Sequence, residues 1–185
     1  MKDNITIVKI GSGVTVDGNG TIRIKAVNDI LENLQSIIKN GERVVLVTSG
    51  SVRLGRVALG KDTPATVAAS VGQTHLFAAY YQEAEKMNLK VAEFLLTRPY
   101  IITRKYFLNL QETLNSLLDQ GILPIVNEND ALVAHTDWSF GDNDSLAATL
   151  AVSLKAKRLI ILSHIEGLFD ADPTKNTKAK LISKV

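Results

Sequence analysis

The sequence predicts a three-layer αβα sandwich built around a mainly parallel β-sheet. Two observations carry this prediction. Short β-branched runs alternate with longer helical patterns from one end of the chain to the other, the order of successive βαβ units. Runs such as Val44-Val45-Leu46-Val47 are apolar throughout rather than alternating with polar residues, as parallel strands covered on both faces are. No repeat, low-complexity tract or linker interrupts the pattern, and 185 residues fall within the size of one domain, so residues 1–185 are expected to form one.

The elements follow in order. The expected strands are Ile5–Ile10, Arg43–Thr48, Val91–Leu96, Leu123–Val126 and Arg158–Leu162. Between them the helical patterns cover Ile24–Lys39, Ala65–Met87, Thr103–Gln120 and Ser145–Lys155. Asn40-Gly41 and Gln120-Gly121 suit helix C-termini, and Pro64 stands where a helix begins.

Composition narrows the function. The chain is 45% hydrophobic and 22% charged, as soluble globular proteins are. A net charge of +2 argues for neither nucleic acid nor membrane binding, and no apolar stretch approaches spanning length. The absence of cysteine excludes disulfides, thiol catalysis and cysteine metal sites, and agrees with a cytoplasmic protein.

In parallel sheets ligands sit beyond the carboxyl ends of the strands. The unusual polar segments of this chain lie there. Lys9-Ile10-Gly11-Ser12-Gly13 closes the first strand, Thr48-Ser49-Gly50-Ser51 the second, Asn127-Glu128-Asn129-Asp130 the fourth and Ser163-His164 the last. Phe140-Gly141-Asp142-Asn143-Asp144-Ser145 runs into a helix. Lys9 followed by small residues offers an ammonium and approachable backbone N–H groups to an anion, the combination phosphoryl transfer needs. A strand-end lysine before a tight glycine turn is the plainer reading of that segment alone. The hydroxyls of Thr48, Ser49 and Ser51 suit a carboxylate or phosphate, or simple N-capping. Capping accounts for one of Asp142 and Asp144 but not for both together with Asn143 and the upstream Asn-Glu-Asn-Asp. Such a cluster needs a cation: a lysine, a substrate ammonium, or Mg²⁺ arriving with nucleotide phosphates. The spacing lacks the glycine and glutamate of an EF-hand.

Val8-Lys9-Ile10-Gly11-Ser12, Val47-Thr48-Ser49-Gly50, Pro124-Ile125-Val126-Asn127-Glu128-Asn129-Asp130 and Phe140-Gly141-Asp142-Asn143-Asp144 together resemble the glutamate 5-kinases of the amino acid kinase family. Val71-Gly72-Gln73, Leu95-Leu96-Thr97 and Gly167-Leu168-Phe169-Asp170-Ala171-Asp172-Pro173 join the match in the same order and spacing. The resemblance implies an acetylglutamate kinase-like fold and ATP- and Mg²⁺-dependent phosphorylation of the γ-carboxylate of L-glutamate, the first step of proline biosynthesis. It implies that Lys9 stabilises the transferring phosphoryl group and that Asp144 organises lysines around the phosphates. Ser49, Gly50, Asp130 and Asn143 would hold glutamate, with Asn127 lining the same pocket. Gly11, Ser12, Ser163 and His164 would meet the nucleotide. Proline as feedback inhibitor and a homo-oligomeric state follow from the same resemblance; that the metal arrives with the nucleotide rather than in a protein cage follows from the chemistry of Mg²⁺.

Two departures shape the expectation. His164 stands where the family usually has aspartate, and an imidazole does not supply a fixed negative charge at neutral pH. The family also continues into a glycine-rich nucleotide segment with a second catalytic lysine, so the domain is expected to be C-terminally incomplete and the 185-residue chain by itself to have little or no kinase activity. The alternatives are a catalytically inactive module that binds glutamate or proline, and another amino acid kinase acting on carbamate, acetylglutamate or uridylate. A dinucleotide-dependent oxidoreductase is disfavoured, because the glycine fingerprint and the ribose-binding acid are missing after the first strand. His75, inside a helical pattern, reads as a packing or surface residue. His135, Asp137 and Trp138 read as an exposed loop that could close over a ligand. Arg98, Arg104 and Lys105 read as a solvated face or an oligomer contact, and Lys175, Lys178, Lys180 and Lys184 as solvated surface.

Overall fold

The computed structural model describes residues 4–133, 136–163, 167, 169–171, 173 and 176–183. Among them five strands, β1 (Ile5–Ile10), β2 (Arg43–Val47), β3 (Val91–Leu96), β4 (Leu123–Glu128) and β5 (Arg158–Leu162), form one sheet in the order β3-β4-β2-β1-β5. Every pairing is parallel. Eight helical segments connect them: α1 (Ser12–Thr15), α2 (Ile24–Lys39), α3 (Ser51–Leu59), α4 (Ala65–Lys86), α5 (Arg98–Ile102), α6 (Arg104–Asp119), α7 (Asp130–Val133) and α8 (Asn143–Ser153).

Two apolar clusters lie on opposite faces of the sheet. Val8, Ile10, Val44, Leu46, Leu123 and Ile125 pack against Val27 and Leu31 of α2 and Leu76 and Tyr80 of α4. Ile5, Ile7, Val45, Val47 and Val126 pack against Leu110 and Leu114 of α6 and Leu146 and Leu150 of α8. Connections that run along the sheet from β1 towards β3 thus cover one face, and those running back towards β5 cover the other, as a single crossover hand requires. The three-layer sandwich is the expected one.

Element ends differ from the sequence reading where tertiary partners intervene. β4 runs two residues further, through Asn127 and Glu128, because β3 pairs with it up to Leu96 opposite Glu128. α8 begins at Asn143, two residues early, because the Asp142 carboxylate caps it by accepting from the Ser145 N–H at 2.6 Å. Four helices that the sequence reading did not expect, α1, α3, α5 and α7, stand between the expected elements, each of nine residues or fewer. β5 is not covered on both faces: Ile160, Ile161 and Leu162 are 37%, 46% and 38% exposed, because β5 is an edge strand. The expected helix ends hold: α2 stops at Asn40 and α6 at Gln120, each followed by a glycine with positive φ (Gly41 +86°, Gly121 +69°), and Pro64 directly precedes α4. His75, Arg98, Arg104 and Lys105 are exposed. Among the described residues no helix is long and apolar enough to cross a membrane.

α3 and α4 cross at backbone contact. A Cβ on Gly72 would lie 1.8 Å from the Ser51 carbonyl oxygen, and one on Gly55 would lie 1.8 Å from that of Ala68. Both neighbours are backbone, so neither clash relaxes by turning a side chain. This crossing seats the start of α3 beside the strand ends. Gly72→Ala should therefore lose on the order of 3 kcal/mol in urea denaturation, at the upper end of overpacking costs. Stability equal to the parent would show that the helices separate at little cost.

Candidate active site

Strand alternation decides which way each rim residue points. Lys9 lies in register with Val47 on β2 and Ile161 on β5, and shares the face of Ile5 and Ile7. Its ammonium therefore meets the helix on that face, 2.6 Å from the Asp144 carboxylate in the first turn of α8. The Lys9 side chain is 11% exposed and that of Asp144 53%, so the pair sits at the surface of the rim with the lysine rooted in the sheet. Gly11 follows closely: its N–H donates to the Leu162 carbonyl at 3.0 Å, and a Cβ there would lie 3.7 Å from Lys9 Nζ. The space above Lys9 is thus open because residue 11 has no side chain.

Asn143 precedes Asp144 and spans the top of the sheet. Its Nδ2 lies 2.9 Å from the Thr48 carbonyl, 2.7 Å from Ser49 Oγ and 2.9 Å from Asn127 Oδ1. Two amide hydrogens are thus shared among three acceptors from two strand ends. Its Oδ1 is buried and has no partner in the structure. A buried acceptor left unpaired is costly, so it marks a place where a donor belongs.

Asn127, buried at the end of β4, points to the α4 face and donates to Gln73 Oε1 at 2.7 Å. Glu128, next along, points to the other face, where its carboxylate accepts from the Phe140 N–H. Burial raises its carboxyl above the ordinary range, opposed by that N–H and by the Ser139 hydroxyl. Thr48 shares a 2.9 Å hydrogen bond with the Tyr80 hydroxyl, whose pKa burial pushes up to about 12. Asp130 opens α7 and accepts from Ser51 Oγ at 3.2 Å. Burial raises its carboxyl too, with the Ser51 hydroxyl opposing, and no cation pairs with it among the described residues. Gly50 precedes α3 with φ +123°, a backbone position that disfavours any side chain, and no side chain caps that helix. The hydroxyls of Thr48, Ser49 and Ser51 therefore serve tertiary partners rather than N-capping.

The structure gathers Lys9, Gly11, Ser49, Asn127, Asn143 and Asp144 at the ends of β1, β2 and β4. Ser12, Gly50 and Asp130 border an adjoining pocket of about 790 Å³. Ser163 follows β5 on the same side, and His164 lies outside the described residues, as do His135, Lys175 and Lys184. Gln73 and Glu128 were not singled out as site residues in the sequence, although each falls inside a matching segment, and Ser51 was read only as an anion-binding or capping hydroxyl; their contacts show that they brace Asn127, the loop before α8 and Asp130. Among the described residues no three acidic or histidine side chains converge to hold a metal ion.

A carboxyl held above its ordinary value favours the folded state while protonated and opposes it once ionised. That stability is fully present below the ordinary aspartate range and lost as pH rises through the folded value. Asp130→Asn keeps an acceptor for Ser51 without the charge. It should be more stable than the parent at pH 7, with the difference closing towards about pH 3. Equal stabilities throughout, by urea denaturation across that range, would show Asp130 to be well solvated.

Comparison with known proteins shows the family of the chain. The amino acid kinase family pattern matches residues 4–185. Glutamate 5-kinase from Pelobacter propionicus is 40% identical over 185 residues, covering 97% of this chain and 49% of that protein. Glutamate 5-kinase from Shewanella amazonensis is 42% identical, covering 97% and 48%. The chain spans about half the length of these curated relatives. Among solved structures, T. acidophilum isopentenyl phosphate kinase superposes with a TM-score of 0.61 at 18% identity, covering 95% of this chain and 76% of that one. UMP kinase from Bacillus anthracis gives 0.57 at 16% identity, covering 96% and 72%. Those two likenesses are of fold alone. The family pattern runs through every strand and helix that builds the rim, and the chain belongs to the amino acid kinase family.

Proposed function

We propose that this chain carries the amino-acid-binding and phosphoryl-transfer rim of a glutamate 5-kinase, which makes L-glutamyl 5-phosphate from L-glutamate and ATP as the first step of proline biosynthesis. The observation that carries the reading is the orphaned Asn143 Oδ1 on the rim where Lys9 supplies a fixed cation, with the half-buried Asp130 carboxylate, held by Ser51 Oγ and by no cation among the described residues, in the adjoining pocket. An amino acid brings what both sides lack. Its ammonium suits Asp130 and Asn143, and its distal carboxylate suits the Lys9 side. The relatives named above support the same substrate.

The chemistry asks little of the protein beyond position and charge. A γ-carboxylate oxygen of glutamate attacks the γ-phosphorus of ATP. The new O–P bond forms as the bond to the β,γ-bridging oxygen breaks, and ADP leaves. The carboxylate is already ionised at neutral pH, so no base has to remove a proton. Ser49 Oγ accepts from Asn143, which leaves its own hydrogen to donate to the γ-carboxylate. Lys9 lies where negative charge gathers on the transferring oxygens, and Asp144 holds its ammonium in that direction. The missing side chain at Gly11 lets a phosphate approach Lys9, with Ser12 beside it. Ser163 and His164 are assigned to the nucleotide. Mg²⁺ would supply charge neutralisation, taking most of its ligands from phosphate oxygens and water, with Asp144 the nearest carboxylate to Lys9. Proline carries the ammonium and α-carboxylate of glutamate and is proposed as the feedback ligand. The cytoplasm, where ATP is abundant, is the compartment the reaction requires.

Titration calorimetry with L-glutamate tests the pocket, and ATP-dependent formation of γ-glutamyl hydroxamate tests the transfer. Lys9→Ala should lower turnover by roughly 10²–10³-fold while glutamate still binds. A chain that binds no glutamate would overturn the reading, and unchanged turnover would remove Lys9 from it.

A further inference from the structure

The pocket of about 790 Å³ beside the rim has a feature that the glutamate reading does not use. Its walls carry Arg53, Arg56 and Lys61 as well as Gly50, Ser51 and Asp130. Three cations face one carboxylate, so the pocket keeps a positive balance even when Asp130 is ionised. Arg56 is tied back, donating from Nε to the Thr63 carbonyl at 3.3 Å, and Lys61 is exposed. Arg53 differs from both. It is half-buried on α3, and among the described residues it has neither hydrogen bond nor ion pair. A partly desolvated guanidinium without a partner retains donors for a carboxylate, which it grips with two parallel N–H groups.

Its position on the helix matters. Arg53 lies two residues after Ser51, whose hydroxyl holds the Asp130 carboxylate. Arg53 from α3 and Asp130 from α7 thus line one pocket, a cation and an anion. An α-amino acid carries the complementary pair, ammonium and carboxylate, on a single carbon. We infer that Arg53 is a specificity-determining residue that binds the α-carboxylate of the amino acid substrate while Asp130 takes its ammonium. Resting on the glutamate reading above, this inference orients the substrate: the head lies at α3, and the side-chain carboxylate runs past Gly50 towards Ser49 and Lys9. The site then selects α-amino acids over ω-carboxylates that lack the head group, such as simple dicarboxylic half-amides.

The test compares L-glutamate with L-isoglutamine, in which the α-carboxylate is a carboxamide of the same shape. Calorimetry on the parent chain should show glutamate binding about 10–100-fold tighter, the range of one charge-assisted hydrogen-bonded contact. Arg53→Gln should bring the two ligands to near-equal affinity by weakening glutamate alone. Arg53→Lys, which keeps the charge without the fork, should retain an intermediate preference and carries the test should the glutamine variant not fold. An undiminished preference for glutamate in both variants would overturn the inference, as would an equal loss for both ligands, which would make Arg53 merely structural. Absence of glutamate binding by the parent itself would overturn the glutamate reading along with it, so the two failures are told apart.

Discussion

The side-chain amide of Asn143 ties the ends of β2 and β4 to the start of α8, and the rest of the rim is arranged around it. Its hydrogens reach the Thr48 carbonyl, Ser49 Oγ and Asn127 Oδ1, groups separated from it by 95, 94 and 16 residues. Because Asp144 is the next residue, fixing Asn143 also fixes the carboxylate that meets Lys9 on β1. One side chain thus sets the relation of three strands' ends to one helix N-terminus. The sheet makes this possible. Lys9, Val47 and Val126 lie level across β1, β2 and β4, so a residue just beyond that line can reach more than one strand.

This arrangement is stabilised away from the rim and strained at it. Below the rim the strands are covered on both faces by two apolar clusters. At the rim, buried polar groups are only partly satisfied: Asn143 Oδ1 has no partner, and Asp130 and Glu128 have carboxyls raised by burial. Such groups oppose folding at neutral pH and persist because the core over-determines their positions. Bracing comes from side chains one step back. Gln73 on α4 holds Asn127, and Ser51 at the head of α3 holds Asp130. The backbone-close crossing of α3 and α4 keeps those two braces together, and only glycine at positions 55 and 72 allows it.

The polar cluster has a direct chemical meaning. On the proposed function, transfer of a phosphoryl group to a carboxylate needs no proton abstracted, and a rim of placed charges and hydrogen-bond donors suits it without an acid–base pair. Lys9 and Arg53 stand on different elements, a strand end and a helix, and under the proposed orientation they would receive the two carboxylates of a short dicarboxylic amino acid separately.

Much of the fold was legible in the chain. Uniformly apolar runs can only be buried on both faces, which selects a parallel sheet, and glycine or proline punctuation placed the long helices to within two residues. The clustering of Asn127, Asp130, Asn143 and Asp144 at a strand end and a helix start was legible too, because so many amides and carboxylates suit neither a core nor a turn. Sequence by itself determined the layers, the rim and the identity of its polar residues, since these follow from local periodicity and composition. Only the tertiary structure decided which partner each polar residue meets. Strand order is absent from local pattern, and so are the Lys9–Asp144 pair, the Gln73–Asn127 bond, the missing partner at Asn143 Oδ1 and the half-buried, unpaired state of Arg53. Each depends on residues far apart in sequence being brought level by parallel pairing and helix crossing.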